Sequence, residues 1–125
     1  MKNQEYIKNA IVTESKNYAV VKDRFDEKNI RLLHALMGLT TEAGESLDAL
    51  KKHLFYGKPL DEVNLKEEMG DLFWYLAIMA DTLGVSFEEI QERNIEKLKA
   101  RYGEKFTDEK AINRNLETER SILER

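Results

Sequence analysis

Residues 65–83, LKEEMGDLFWYLAIMADTL, decide the fold class. Leu65, Met69, Leu72, Phe73, Trp74, Tyr75, Leu76, Ala77, Ile78, Met79 and Leu83 make this an apolar helix nearly all round. A helix without a polar face must be covered on every side. At 125 residues the chain is one domain by length, 1–125, with little material to wrap around such a helix. The expectation is a homo-oligomer packed over Phe73, Trp74 and Ala77; the other reading is a central helix covered within one chain.

Helices follow on both sides. Asn64 with Glu67 has the form of a capping box opening the apolar helix, Gly84 ends it, and Ser86 with Glu89 opens another over about 87–102, anchored by Ile90, Ile95, Leu98 and Tyr102. On the N-terminal side, FYGKPLD (55–61) breaks the chain with Gly57 and Pro59. Before it, Leu33, Leu36, Thr40, Ala43, Leu47, Leu50 and Leu54 alternate steps of three and four, the stripe of a long amphipathic helix. Tyr6, Ile7, Ala10 and Ile11 predict a short amphipathic helix over 4–14, whereas 15–28 reads equally as helix or loop. Beyond GEKFTDE (103–109), with Thr107 or Asp108 as cap, residues 108–124 read as a single polar helix with few anchors. One proline and six glycines leave little room for a many-turned β fold. The predicted architecture is all-α: an antiparallel helical bundle of four main helices plus a C-terminal helix.

Composition excludes several function classes. Without cysteine there is no disulfide framework, thiolate zinc site or cysteine nucleophile. A net charge of −4, with basic residues interspersed among acids, is not the balance of a protein that binds nucleic-acid polymers. No 18-residue apolar run occurs, and the opening MKNQEYIKNAIV has no apolar signal core, so the reading is a cytoplasmic protein with no membrane partner.

Two carboxylate pairs carry the chemistry: Glu42 with Glu45 in TEAGE, and Glu68 with Asp71 in EEMGD. Spacing i, i+3 puts the members of each pair about 60° apart on one helix face. The 22 residues between Glu45 and Glu68 suffice to end one helix and begin another, so two neighbouring helices can direct four carboxylates at one spot. Such a cluster repels itself unless it is protonated or holds cations, and oxygen-only ligation suits Mg2+ or Mn2+. Acid pairs are common on solvated helices, but Glu68 and Asp71 sit in the most apolar helix of the chain, and buried carboxylates are rarely left unpaired. Ala35, Gly38 and Ala49 share the bearing of Glu42 and Glu45, which predicts room beside the acids. Neither His34 nor His53 follows a glutamate by three, so the Glu-x-x-His pairs of a di-iron bundle are missing.

Asn94, Lys97 and Arg101 step by three and four along the 87–102 helix. One amide and two cations in line can grip a phosphate, and spacing alone equally describes a solvated edge. Lys51, Lys52 and Lys58 flank the 55–61 break, where a solvated surface is the simpler reading. Tyr75, Phe55, Tyr56 and Trp74 are read as packing aromatics, and His34 as structural or surface.

TEAGE, a 21-residue spacer, EEMGDLFWYLA, then NIEKLKARYGEKF together resemble the MazG-like, all-α nucleoside triphosphate pyrophosphohydrolases, from about Leu33 to Phe106. The resemblance implies Mg2+-dependent cleavage of an NTP or dNTP between its α- and β-phosphates, in a homodimer or homotetramer. It assigns Glu42, Glu45, Glu68 and Asp71 to the metal, and Asn94, Lys97 and Arg101 to the triphosphate. Thr41 stands where some relatives carry a further acid. Glu42 or Glu45 would accept the proton of an attacking water, with no side chain placed as a covalent nucleophile. Two other readings stay open: a non-catalytic oligomeric module that binds or senses nucleotide, and a bundle that metal merely stabilises.

Overall fold

A computed structural model of the chain describes residues 2–125. Among them, seven helices and no strand follow in order: α1 Asn3–Ile11, α2 Tyr18–Asp23, α3 Glu27–Tyr56, α4 Glu62–Leu83, α5 Phe87–Tyr102, α6 Asp108–Ile112 and α7 Leu116–Leu123. The all-α expectation holds, and the ambiguous stretch 15–28 contains α2 and the start of α3.

Local chemistry sets the boundaries. The Asp26 carboxylate accepts the Asn29 N–H at 2.8 Å and opens α3, a helix of 30 residues. Gly57, at φ 69°, closes it in the left-handed conformation that glycine adopts without steric cost. The helix α4 opens one turn earlier than expected. Its cap is Asp61, extended after Pro59, whose side chain accepts the Asn64 N–H at 3.0 Å, so the expected Asn64–Glu67 capping box lies inside the helix. Gly84 (φ 68°) ends α4, and Ser86 Oγ accepts the Glu89 N–H at 3.1 Å to open α5, as the sequence predicts. The single C-terminal helix expected over 108–124 is interrupted. Thr107 caps α6, the chain turns through Asn113–Asn115, and Asn115 Oδ1 accepts the Thr118 N–H at 3.1 Å to start α7. Asparagine side chains compete with backbone partners in this way, which favours turns and caps over helix interiors.

The main packed unit is the pair α3–α4. It runs antiparallel, with Arg31 beside Asp81, Gly38 beneath Tyr75, and Glu42 opposite Asp71. A Cβ on Gly38 would lie 2.1 Å from Tyr75 Cε1, so the glycine is where the Tyr75 ring crosses α3. Ala35, fully buried, widens the same seam. These small residues admit α4; the room expected beside the acids is, at Ala35 and Gly38, taken up by helix packing. His34 meets the Trp74 and Tyr75 rings edge-on at 6.3 and 5.8 Å, in keeping with its structural reading.

The second unit is α5 with α6 and α7; α5 packs on these rather than along α3–α4. At the Gly84 turn, α4 and α5 enclose an apolar notch of about 250 Å3 lined by Phe73, Leu76, Met79, Leu83, Phe87 and Ile90.

Burial within one chain is sparse. Among the described residues the buried apolar side chains are Ala35 and Ile122, and every residue from 2 to 30 is exposed. Trp74 is 57% exposed and Phe73 55%. The chain presents 10561 Å2 to solvent. A compact monomer of 14.6 kDa presents about 6,900 Å2. No helix among the described residues is long and apolar enough to cross a membrane.

Candidate functional site

The antiparallel register of α3 and α4 brings Glu42 against Glu68 and Asp71. One oxygen from each carboxylate lies within 4.8 Å of the others. The three differ in environment: Asp71 is exposed, Glu42 half-buried, and Glu68 buried at 7% exposure. Glu68 Oε2 is shut away from solvent and receives no hydrogen bond. A buried acceptor without a donor is uncommon in folded proteins and marks a place where something else completes the site.

Glu42 shows the strain electrostatically. Its carboxyl is pushed up from 4.5 to about 7, chiefly because a retained proton can be shared with Glu68, then by desolvation and by the charges of Glu45, Glu68 and Asp71. Metal-free, the cluster relieves its repulsion by holding a proton; a divalent cation would relieve it more fully. Three carboxylates with an orphaned buried oxygen form a hard-oxygen donor set that fits Mg2+ or Mn2+. Glu45, exposed one turn on from Glu42, stands outside the three-oxygen cluster but close enough for its charge to act on Glu42. Thr41 is exposed and donates its hydroxyl to the Gly38 carbonyl at 3.1 Å.

The strip on α5 is not gathered to the acids within one chain. Asn94 is exposed and Lys97 half-buried, with no ion pair to Lys97 among the described residues. The Arg101 guanidinium is taken up by Glu119 of α7, with Nε at 2.6 Å and Nη2 at 3.1 Å from its two oxygens. Of the loop-flanking lysines, Lys51 and Lys52 turn back to Asp48, at 3.6 and 2.5 Å. The Lys58 carbonyl faces His53 Nδ1 at 2.7 Å.

Sequence reasoning missed Glu119 and its second partner, Arg114. Glu119 is 4% exposed, and its carboxyl is lowered to about 2 by hydrogen bonds from Arg101 and then Arg114. Nothing in the spacing of the tail separates Glu119 from Glu117 or Glu124; only the turn at Asn113–Asn115, which brings α7 back on α5, selects it.

Comparison with known proteins bears on this arrangement. The family model of the MazG nucleotide pyrophosphohydrolase domain matches residues 31–106, more than half of the chain, and takes in the acid cluster and the α5 strip. The Gene 37 protein of Mycobacterium phage L5 is 36% identical over 77 residues, which span 56% of this chain and 65% of that protein. No solved structure matches the chain.

Proposed function

The chain belongs to the MazG nucleotide pyrophosphohydrolase family, and on that footing we propose that it hydrolyses nucleoside or deoxynucleoside triphosphates between the α- and β-phosphates, giving monophosphate and pyrophosphate with Mg2+, or Mn2+ in its place. The observation that carries this reading is the Glu42–Glu68–Asp71 cluster with its unpartnered buried oxygen, across the two longest helices.

In this reading Glu42, Glu68 and Asp71 hold the cation, with Glu45 on its rim. A bound divalent ion would neutralise phosphate oxygens and lower the pKa of a nearby water. The protein's own groups supply orientation and proton transfer. Glu68 presents the buried oxygen of the set, on the α4 side of the α3–α4 pair. Glu45, outside the three-oxygen set, is the carboxylate left free to accept a proton from an attacking water; Glu42 shares that duty only while it is not engaged by the cation. Asn94 and Lys97 meet the triphosphate, and Arg101 joins them when its guanidinium is free. Acids and strip lie on different packed units of one chain, so the complete site is assigned to a homodimer or homotetramer in which a second subunit closes the gap.

The test is pyrophosphate release with Mg2+ across the common NTPs and dNTPs, with the product nucleotides resolved. Monophosphate and pyrophosphate in equal amounts support the reading. Release of orthophosphate alone, or nucleotide binding with no turnover, would replace it with a different hydrolase or with a nucleotide-sensing module.

A further inference from the structure

Glu119 is the most buried charged side chain among the described residues, and it stands outside the acid cluster. Two arginines hold it. Arg101, from α5, approaches edge-on with Nε and Nη2 at 2.6 and 3.1 Å, one to each oxygen. Arg114, from the turn before α7, donates through Nη2 at 2.5 Å and Nε at 3.2 Å to Oε2. The Arg101 side chain is 14% exposed and that of Arg114 39%.

Three features set this apart from a simple staple. One carboxylate between two guanidiniums leaves the trio with a surplus positive charge. A cavity of about 120 Å3, several times the share of one water, opens against Arg101, Arg114, Asn113, Asn115 and Thr118. The paired N–H donors that Arg101 gives to Glu119 form the fork that guanidinium also gives to phosphate. Arg101 is, moreover, the last member of the strip assigned above to the triphosphate.

We propose that Glu119 occupies on Arg101 the place of a substrate phosphate, making α7 a latch on α5 that a polyphosphate anion releases. This rests on the reading of Asn94, Lys97 and Arg101 as the triphosphate strip. The exchange leaves no charge stranded, which is what normally opposes breaking a buried ion pair. A phosphate takes over the Arg101 fork while Arg114 keeps Glu119. Little else ties α7 down: Ile122 is its buried apolar side chain, and Arg93 donates to the Leu123 carbonyl at 3.3 Å. Because coupling is reciprocal, whatever factor polyphosphate contributes to opening α7, an opened α7 returns as tighter polyphosphate binding.

The experiment is amide hydrogen exchange over 116–123 in the wild-type protein, with and without inorganic tripolyphosphate, alongside nucleotide kinetics of Glu119→Gln. Expected are faster exchange in 116–123 that Arg101→Ala abolishes, and a KM for nucleotide lowered roughly 5-fold or more in Glu119→Gln with kcat unchanged. A merely structural Glu119 would lower thermal stability without tightening substrate. No acceleration at millimolar tripolyphosphate, or a raised KM in the variant, overturns the latch. Should Glu119→Gln fail to fold, the wild-type exchange result decides alone. If the wild type hydrolyses nucleotide while α7 stays unmoved, the latch falls and the proposed function stands. If tripolyphosphate opens α7 through Arg101 in a protein that turns over no nucleotide, the reverse holds.

Discussion

Glu68 and Asp71 belong to the same cluster and are expected to answer mutation differently. Asp71→Asn alters the exposed member of the proposed cation site, so metal-dependent turnover should vanish while the helical circular dichroism stays intact. Glu68→Gln should also abolish turnover, yet it replaces a buried carboxyl whose Oε2 has no hydrogen-bond partner with a neutral amide. The metal-free protein is therefore expected to gain about 1 kcal/mol, a rise of a few degrees in Tm. Stabilisation with loss of activity marks a residue kept for function; a lowered Tm would show that Glu68 serves the fold. The shared proton gives a pH signature as well. Metal-free native Glu42 holds its proton to about 7, whereas the unfolded chain releases it near 4.5. The native state binds more protons in between, so the Glu42 contribution to stability is whole below 4.5 and is lost as pH rises to about 7. Mg2+ binding should tighten over the same window with proton release, measurable by calorimetry in two buffers of different ionisation enthalpy. The cluster was legible in the sequence because an i, i+3 acid pair set in an apolar helix needs a proton or a cation beside it. What spacing does not encode is the ranking within it: that Glu68 is sealed, Asp71 open and Glu45 on the rim depends on how α4 is rotated against α3.

Helix contacts follow from single residues in the same way. The Tyr75 ring fills the site that a Gly38 side chain would need, so Gly38→Ala should push α4 outward and cost about 1–3 kcal/mol. Thermal melts of Gly38→Ala, with and without a compensating Tyr75→Leu, check this: recovery in the double variant identifies the clash, and an undisturbed single variant removes it. At the other end of the chain, Glu119 is held well below its ordinary range by Arg101 and Arg114. Its native carboxyl stays ionised down to about 2, whereas the unfolded one protonates near 4.5. Its contribution is therefore present above 4.5 and drains away as pH falls towards 2. Amide exchange over 116–123 should rise in that window before the α3–α4 pair loosens. Element boundaries were well marked where glycine or serine chemistry stood alone, as at Gly57, Gly84 and Ser86. They were missed where two polar residues competed for one role. Asp61 took the cap expected at Asn64, and Asn113–Asn115 broke a helix whose apolar anchors still read as continuous.

For the molecule as a whole, the 10561 Å2 of exposed surface exceeds that of a compact 14.6-kDa protein by roughly 3,700 Å2 per chain. Obligate oligomer interfaces bury roughly 1,000–2,500 Å2 or more on each chain, so the excess is at least as large as the area a second copy would cover. The apolar helix from which the sequence reading expects an oligomer is the one that stays half bare: Phe73, Trp74 and Met69 of α4 are all more than half exposed. With an alanine and an isoleucine as the buried apolar side chains among the described residues, one copy has little to set against its conformational entropy. Folding and association should therefore be one transition, with Tm rising with protein concentration. The single tryptophan makes this measurable, since Trp74 lies on the bare face. Native emission at micromolar concentration should be blue-shifted, as for an indole in an interface, and should shift red on dilution together with loss of helicity. Phe73→Asp should produce the diluted state at any concentration, and with it lose turnover, because in the proposed assembly the acids of one subunit would then lack a neighbouring α5 strip. A concentration-independent Tm with red-shifted emission throughout would show that the chain folds alone, and the site would have to be rebuilt from a single copy.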